Sequence, residues 1–371
     1  MIKLLHTADW QIGRAYGSFA PDDAAALAEA RFAAVERLAR LASAEGADAV
    51  LVAGDVFDAQ TVSARTIRRL FNAMAGYTGP WLMIPGNHDA ALAESVWTHA
   101  QRLGALPANL HLALTPQAIE LPALRLAVLC APLTQRHTHG DLTDWFDGHE
   151  TPAGWLRIGV AHGAATGVLA DDLDAANPIA ADRAERARLD YLALGDWHGS
   201  KCINPRTWYS GTPEPERFKA NDAGQALWVQ IDGPGALPRV TPVRTGAHRW
   251  RPLTARIDVA SDLDSLLATL AEADPSDVID LAVSGRVDLA DQRRLQAALG
   301  VADARVRCLR VDLGGLLLSP TDDDIAGLAA DGYLGELIVE LRDTGGIDHR
   351  RAQDALALLT GLLAERDGVA T

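Results

Sequence analysis

Five polar clusters, each placed directly after a short apolar run, constrain this chain more than any other feature of its sequence. They are His6-Thr7-Ala8-Asp9-Trp10-Gln11, Gly54-Asp55-Val56-Phe57-Asp58, Gly86-Asn87-His88-Asp89, Ala161-His162-Gly163 and Gly195-Asp196-Trp197-His198-Gly199. The runs before them (residues 2–5, 49–53, 81–84, 156–161 and 191–194) have the length and composition of strands buried between helix layers. Helical spacing over residues 22–44 and 63–75 alternates with the early strands, which predicts an α/β layered domain. In such sheets the strand C-termini share one edge, where ligands bind. Loops distant in sequence are therefore expected to converge there.

Further strands are predicted at residues 124–130, 207–209 and 226–231. Composition shifts near residues 233–242, where Gly and Pro cluster, and a basic stretch with Arg239, Arg244, Arg249 and Arg251 follows. Beyond it the rhythm becomes strand 255–259, helix 263–273, strand 278–283, helix 290–299, strand 306–311, then helices at 333–341 and 350–364 separated by Thr344-Gly345-Gly346. We read domains over residues 1–240 and 241–371, the second a small α+β domain; a chain of 371 residues fits two domains of ~100–200 residues each. No window offers the ~20 uninterrupted apolar residues of a membrane span. The N-terminus turns polar too soon for a secretory signal. Three scattered cysteines form no CxxC pair, which fits a reducing cytoplasm. A formal net charge of -15 argues against coating nucleic acid by bulk charge but not against an enzyme with a local basic track.

The clusters supply Asp, Asn, His and one Gln, all able to ligate metal. Two divalent ions ~3.5–4 Å apart need several ligands each and a shared bridge, and a water between them ionises near neutral pH to become a nucleophile. The inventory meets that demand.

The order D-x-Q, G-D-x-x-D, G-N-H-D, H-G, G-D-x-H resembles the motif series of the calcineurin-like metallophosphoesterase superfamily. The opening LLHTADWQIGR and the stretch from Tyr209 through Glu214, Glu216 and Arg217 to Phe218 look more narrowly like the SbcD-type DNA repair nuclease subunit. The motifs cover residues 2–218. The resemblance implies a layered metallophosphoesterase β-sandwich flanked by helices, with a smaller C-terminal α+β capping domain. It implies that Asp9, Gln11, Asp55 and His198 hold one metal, and that Asp55, Asn87, His162 and Asp196 hold the other, with Asp55 bridging. His88 would bind the phosphate or protonate the leaving alkoxide, and Asp58 would orient His88. Two positions depart from the family pattern: Gln11 and Asp196 each stand where it has His. Both offer oxygen, so the expected ions are Mn²⁺ or Mg²⁺ rather than Zn²⁺. Gln, a weak neutral donor, should hold its ion less tightly.

The leading expectation is a metal-dependent DNA exonuclease or endonuclease in repair, cytoplasmic, working with an SbcC-type ATPase and forming a homodimer. Leu356, Leu358, Leu359, Leu362 and Leu363 of the last helix are the candidate contact with that ATPase or, equally, packing on their own domain. The alternative is hydrolysis of nucleotides or other small phosphoesters; a third reading is a non-catalytic binding subunit. Outside the ligand set, His6 is read as structural, His137 and His139 as a solvated loop, and Asp89 as a cap or supporting residue. Residues 183–188 are read as a solvated helix face. Trp10 and Trp197 are expected to pack around the site or stack on a base, and Arg14, Lys201 and the Arg239–Arg251 stretch are candidates to meet phosphates.

Overall fold

A computed structural model describes residues 1–168, 176–321 and 333–343, and positions 351, 352, 355, 356, 358, 359 and 362. The chain divides into two compact units, Met1–His248 and Arg249–Thr371. The division falls beyond the Gly and Pro cluster because Arg239–Arg244 forms an edge strand antiparallel to Gln225–Ile231 of the first unit.

Two six-stranded sheets make up the body of the first unit. One runs in the order Arg239–Arg244, Gln225–Ile231, Ile2–Thr7, Ala49–Ala53, Trp81–Ile84, Leu110–Leu112. The other runs Lys201–Asn204, Thr207–Tyr209, Tyr191–Gly195, Leu156–His162, Leu126–Ala131, Gln117–Leu121. The strands that end in polar clusters are central and mutually parallel within their sheets. Their neighbours Thr207–Tyr209 and Leu126–Ala131 are parallel to them as well. Successive strand residues face opposite sides, and this alternation assigns each to a layer. Leu4, Leu51 and Leu82 pack with Val128, Ile158 and Ala193 between the sheets. Leu5, Val50 and Met83 face outward onto helices. Leu129, Leu192 and Leu194 do the same on the other sheet, against Ala184 and Leu189. The fold is a layered α/β sandwich with helices on its outer faces.

The helix Pro21–Ala44 follows from its sequence. Pro stands in the first turn with Asp22 and Asp23, which suit a helix N-terminus. Leu27, Phe32, Val35 and Leu38 form the buried stripe. The short helix Arg183–Arg186 corrects the expectation of a solvated face. Arg183 is fully buried and forms ion pairs with Asp141, Asp144 and Asp147. Arg186 and Arg188 pair at the surface with Asp147 and Glu150.

The second unit holds a parallel sheet in the order Arg249–Ile257, Asp277–Val287, Cys308–Leu318. Its crossover helices Ala260–Ala271 and Leu289–Asp303 bury Leu263, Leu266 and Leu295 against Ile279 and Leu281. Ile338 of Tyr333–Asp343 packs on Leu289, joined by Leu356 and Leu359. Leu358 and Leu362 are exposed. Thr344-Gly345-Gly346 and Leu363 lie outside the described residues. No described helix is long and apolar enough to cross a membrane.

Candidate metal centre

All five clusters lie at strand ends, and the strands deliver their side chains to one pocket from both sheets. Asp9 follows Ile2–Thr7, Asp55 follows Ala49–Ala53, and Asn87 follows Trp81–Ile84, all in the first sheet. His162 ends Leu156–His162 and Asp196 follows Tyr191–Gly195, both in the second. Glycine lets these ends meet. A Cβ on Gly54 would fall 2.3 Å from His162 Nδ1, and one on Gly86 would fall 2.2 Å from Asp55 Oδ1. The backbone is also strained here: Asp9 (φ 54), Gln11 (φ 51), Asp55 (φ 52) and Asp196 (φ 102) all take positive φ. Such conformations cost energy and persist where surrounding structure imposes them.

Asp9, Asp55 and His162 are buried and offer ligand atoms all within 4.8 Å of one another. His162 Nε2 lies 3.6 Å from Asp55 Oδ1 and 3.7 Å from Asp196 Oδ1. The Asp196 backbone N–H donates to Asp9 Oδ1 at 3.1 Å. Gln11 donates from Nε2 to Asp55 Oδ2 at 2.9 Å. Burial pushes the Asp9 carboxyl up to about 6. Burial alone would lower the His162 imidazole, but the carboxylates of Asp55, Asp9 and Asp196 reverse this and raise it to about 9. The pocket is thus an acidic cluster whose negative charge favours a cation.

The residues fit divalent cations on three counts. The side-chain oxygen of Gln11 is buried without a hydrogen-bond partner among the described residues. The amide end of Asn87 sits 3.0 Å from His162 Nε2 and 3.3 and 3.2 Å from the two Asp55 oxygens. Its amide nitrogen can donate to the Asp55 oxygens, and turned over the same amide offers its oxygen to a cation. Finally, oxygen donors outnumber imidazoles. His162 is prepared for such a role: Nδ1 donates to the Ala53 carbonyl at 2.8 Å, which fixes the tautomer and aims Nε2 inward.

His88 occupies the rim, half-exposed, with Nε2 4.0 Å from Asp55 Oδ2. Its backbone N–H donates to Asp55 Oδ1 at 2.9 Å. Asp58 does hold the ring, but through its main-chain carbonyl, which accepts from His88 Nδ1 at 2.8 Å. The carboxylate expected to orient His88 instead accepts from Arg14 Nη1 at 3.2 Å. A carbonyl only accepts, so Nδ1 carries the proton and Nε2 is left for chemistry.

The sequence motifs give Glu216 no role of its own. Its buried carboxylate bonds His198 Nδ1, takes Arg31 Nη2 at 2.7 Å and faces Arg14 Nη1 at 3.5 Å. Burial alone would raise the Glu216 carboxyl; the bond to His198 and the charges of Arg31 and Arg14 hold it far below the usual range. Burial would likewise lower His198, but the bond to Glu216 raises it. Glu216 therefore orients His198 as outer carboxylates orient ligand imidazoles. The signal in the sequence is its place in the stretch ending at Phe218.

The sequence profile of calcineurin-like phosphoesterases matches residues 2–221. The chain belongs to the calcineurin-like phosphoesterase family. As a metallophosphoesterase it is expected to use divalent metal, and the cluster of Asp9, Asp55 and His162 is the feature that would hold it. Among curated relatives, the D subunit of the SbcCD nuclease of Escherichia coli K12 is 30% identical over 265 residues, 62% of this chain and 64% of that protein. The protein of the same name from Rhodobacter capsulatus is 42% identical over 95 residues, 24% of this chain and 22% of the relative. The chain thus spans less than two thirds of the length of these relatives. A solved structure from Thermus thermophilus aligns over 66% of this chain and 99% of its own, with 13% identity and a TM-score of 0.39, too distant to carry an argument.

The remaining expectations divide around this phosphoesterase centre. His6 is fully buried and bonds the Tyr191 hydroxyl at 2.9 Å, a structural role. Asp89 is buried and accepts from the backbone N–H of Val56, Phe57 and Gly86, supporting the loops. His137 and His139 are exposed. Trp10 is 1% exposed and donates to Thr7 Oγ1, so it cannot stack on a base. Arg239 is paired with Asp232, and Arg249 and Arg251 share Asp277, so most arginines of that basic stretch are already engaged by carboxylates.

Proposed function

We propose that this phosphoesterase is a DNA nuclease that hydrolyses phosphodiester bonds with two manganese ions, magnesium being the substitute, and that it serves DNA repair in the cytoplasm. The observation that carries the reading is the convergence of Asp9, Asp55 and His162, from strand ends of two different sheets, to within 4.8 Å. Likeness to the two SbcCD nuclease subunits supports DNA as substrate.

Asp9, Gln11, Asp55 and His198 would hold one ion, and Asp55, Asn87, His162 and Asp196 the other. Such ions supply Lewis-acid polarisation of the phosphoryl group and acidify the attacking water. The chain's own groups do the rest. His88, when its ring carries a proton on both nitrogens, presents Nε2–H to the phosphate and passes that proton to the departing alkoxide, while Nδ1–H stays bound to the Asp58 carbonyl. Glu216 holds His198 through Nδ1, which leaves Nε2 as the ring nitrogen that would ligate an ion. Arg14 ties Asp58 to Glu216, so the two histidines share one scaffold. The second unit would act as the capping domain. The exposed Leu358 and Leu362 are where an SbcC-type ATPase would dock, and a homodimer completes the expected assembly.

Hydrolysis of nucleotides or other small phosphoesters would use the same centre, and the net charge of -15 favours it over a nucleic acid substrate. Assays with Mn²⁺ and with Mg²⁺ on linear DNA, bis-nitrophenyl phosphate and nucleotides separate the two. Strand cleavage, stronger with Mn²⁺, is expected. Turnover of the small esters alone would retire the nuclease reading.

A further inference from the structure

Lysine is rare in this chain: only Lys3, Lys201 and Lys219 occur, and the other basic residues among the 34 of Lys plus Arg are arginine. Two of the three meet on one ring. Lys201 Nζ and Lys219 Nζ lie 5.5 Å and 4.6 Å from the centroid of Trp197, which stands between Asp196 and His198 of the metal centre. They arrive from different segments. Lys201 begins the strand Lys201–Asn204, and Lys219 lies in the loop that follows Glu216 and Arg217. That loop is pressed on the centre: a Cβ on Gly199 would fall 1.9 Å from the Asn221 carbonyl oxygen. The Arg217 guanidinium lies 2.7 Å from His198 Nδ1.

An indole face attracts an ammonium group without neutralising it. Among the described residues neither lysine forms an ion pair; Lys201 Nζ donates only to the Val168 carbonyl at 3.4 Å, and Lys219 is exposed. The arginines of the Arg239–Arg251 stretch are, by contrast, mostly bound to carboxylates. Two positioned cations with their charge intact, beside a phosphoester centre, are complementary to a phosphodiester chain. In a protein of net charge -15 such local cations must supply the attraction that bulk charge cannot.

We infer that Trp197, Lys201 and Lys219 form a rim that grips the backbone phosphates of a DNA strand flanking the linkage to be cut. This rests on the nuclease reading for the identity of the strand, and the test separates the two. The wild-type protein, with and without saturating single-stranded oligonucleotide, is acetylated and its lysines mapped by mass spectrometry. DNA should protect Lys201 and Lys219, while Lys3, on the first strand of the sheet, serves as internal control. In parallel, DNA affinity is measured against salt for wild type, K201Q/K219Q and K201R/K219R. Loss of two phosphate contacts should reduce the slope of log affinity against log salt by about 1.4–1.8 in the Gln pair, and the Arg pair should retain it. Equal modification of all three lysines, an unchanged slope in the Gln pair, or no DNA binding by wild type would each overturn the rim. Cleavage of DNA with the lysines unprotected would overturn it while leaving the nuclease reading intact. Protection of both lysines in a protein that hydrolyses only bis-nitrophenyl phosphate would sink the nuclease reading and leave the rim as a binding site.

Discussion

Replacing Asp55 with asparagine should abolish stabilisation of the protein by Mn²⁺ while leaving the metal-free fold intact. Asparagine is among the few residues that tolerate the positive φ found here (φ 52). Its oxygen can still accept the His88 N–H that Asp55 Oδ1 accepts at 2.9 Å. The Gln11 amide, which now donates to Oδ2, can turn its unpartnered oxygen to the new amide. What disappears is the one carboxylate assigned to both ions. Loss of an outer-shell partner alone typically weakens metal binding ~10–100-fold, so loss of a shared ligand should cost at least ~10²-fold. An ion present at a hundredfold excess over its Kd adds about 2.7 kcal/mol to folding stability. Wild type should therefore melt at a higher temperature with Mn²⁺ than without, and Asp55→Asn should show no such rise. An equal rise in both proteins would remove Asp55 from the metal site.

The second large effect separates chemistry from metal binding. His88→Ala should reduce turnover by about 10²–10⁴-fold, the usual contribution of a positioned acid or base. The same variant should keep its stabilisation by Mn²⁺. Its contact to Asp55 runs through the backbone N–H, which alanine retains. The side chain is 35% exposed, so truncation leaves no buried hole. Single-turnover cleavage measured beside thermal melting with and without Mn²⁺ checks both halves. If the stabilisation vanished with the activity, His88 would be a ligand rather than a proton donor.

Much of this architecture is legible in the sequence, because the pattern of buried parallel strands is written in composition. The runs before Asp55 and Asn87 end where the strands end, and those before Asp9 and Asp196 stop just short of the ends at Thr7 and Gly195, so the clusters fall at strand ends. The short strands Leu110–Leu112, Gln117–Leu121 and Lys201–Asn204 escape such a reading, because edge strands carry mixed residues and no continuous apolar run. Nor does a sequence show that Ile2–Thr7 pairs with Gln225–Ile231, a contact between segments more than two hundred residues apart. At the site, residue types announce possible ligands, but not their geometry. Asp58 has the look of a carboxylate partner for His88 and acts through its carbonyl, a group every residue has. Glu216 is hidden because its partners Arg14, Arg31 and His198 come from three other segments. Arg183 reads as solvated because its three aspartates, Asp141, Asp144 and Asp147, belong to a loop some forty residues earlier.

Anomalous diffraction at the manganese edge, from crystals grown with Mn²⁺, tests the central claim most directly. Two peaks should flank the Asp55 carboxylate, one toward Asn87, His162 and Asp196, the other toward Asp9, Gln11 and His198. A map with manganese elsewhere, and none beside Asp55, would contradict the assignment of this pocket as the metal centre.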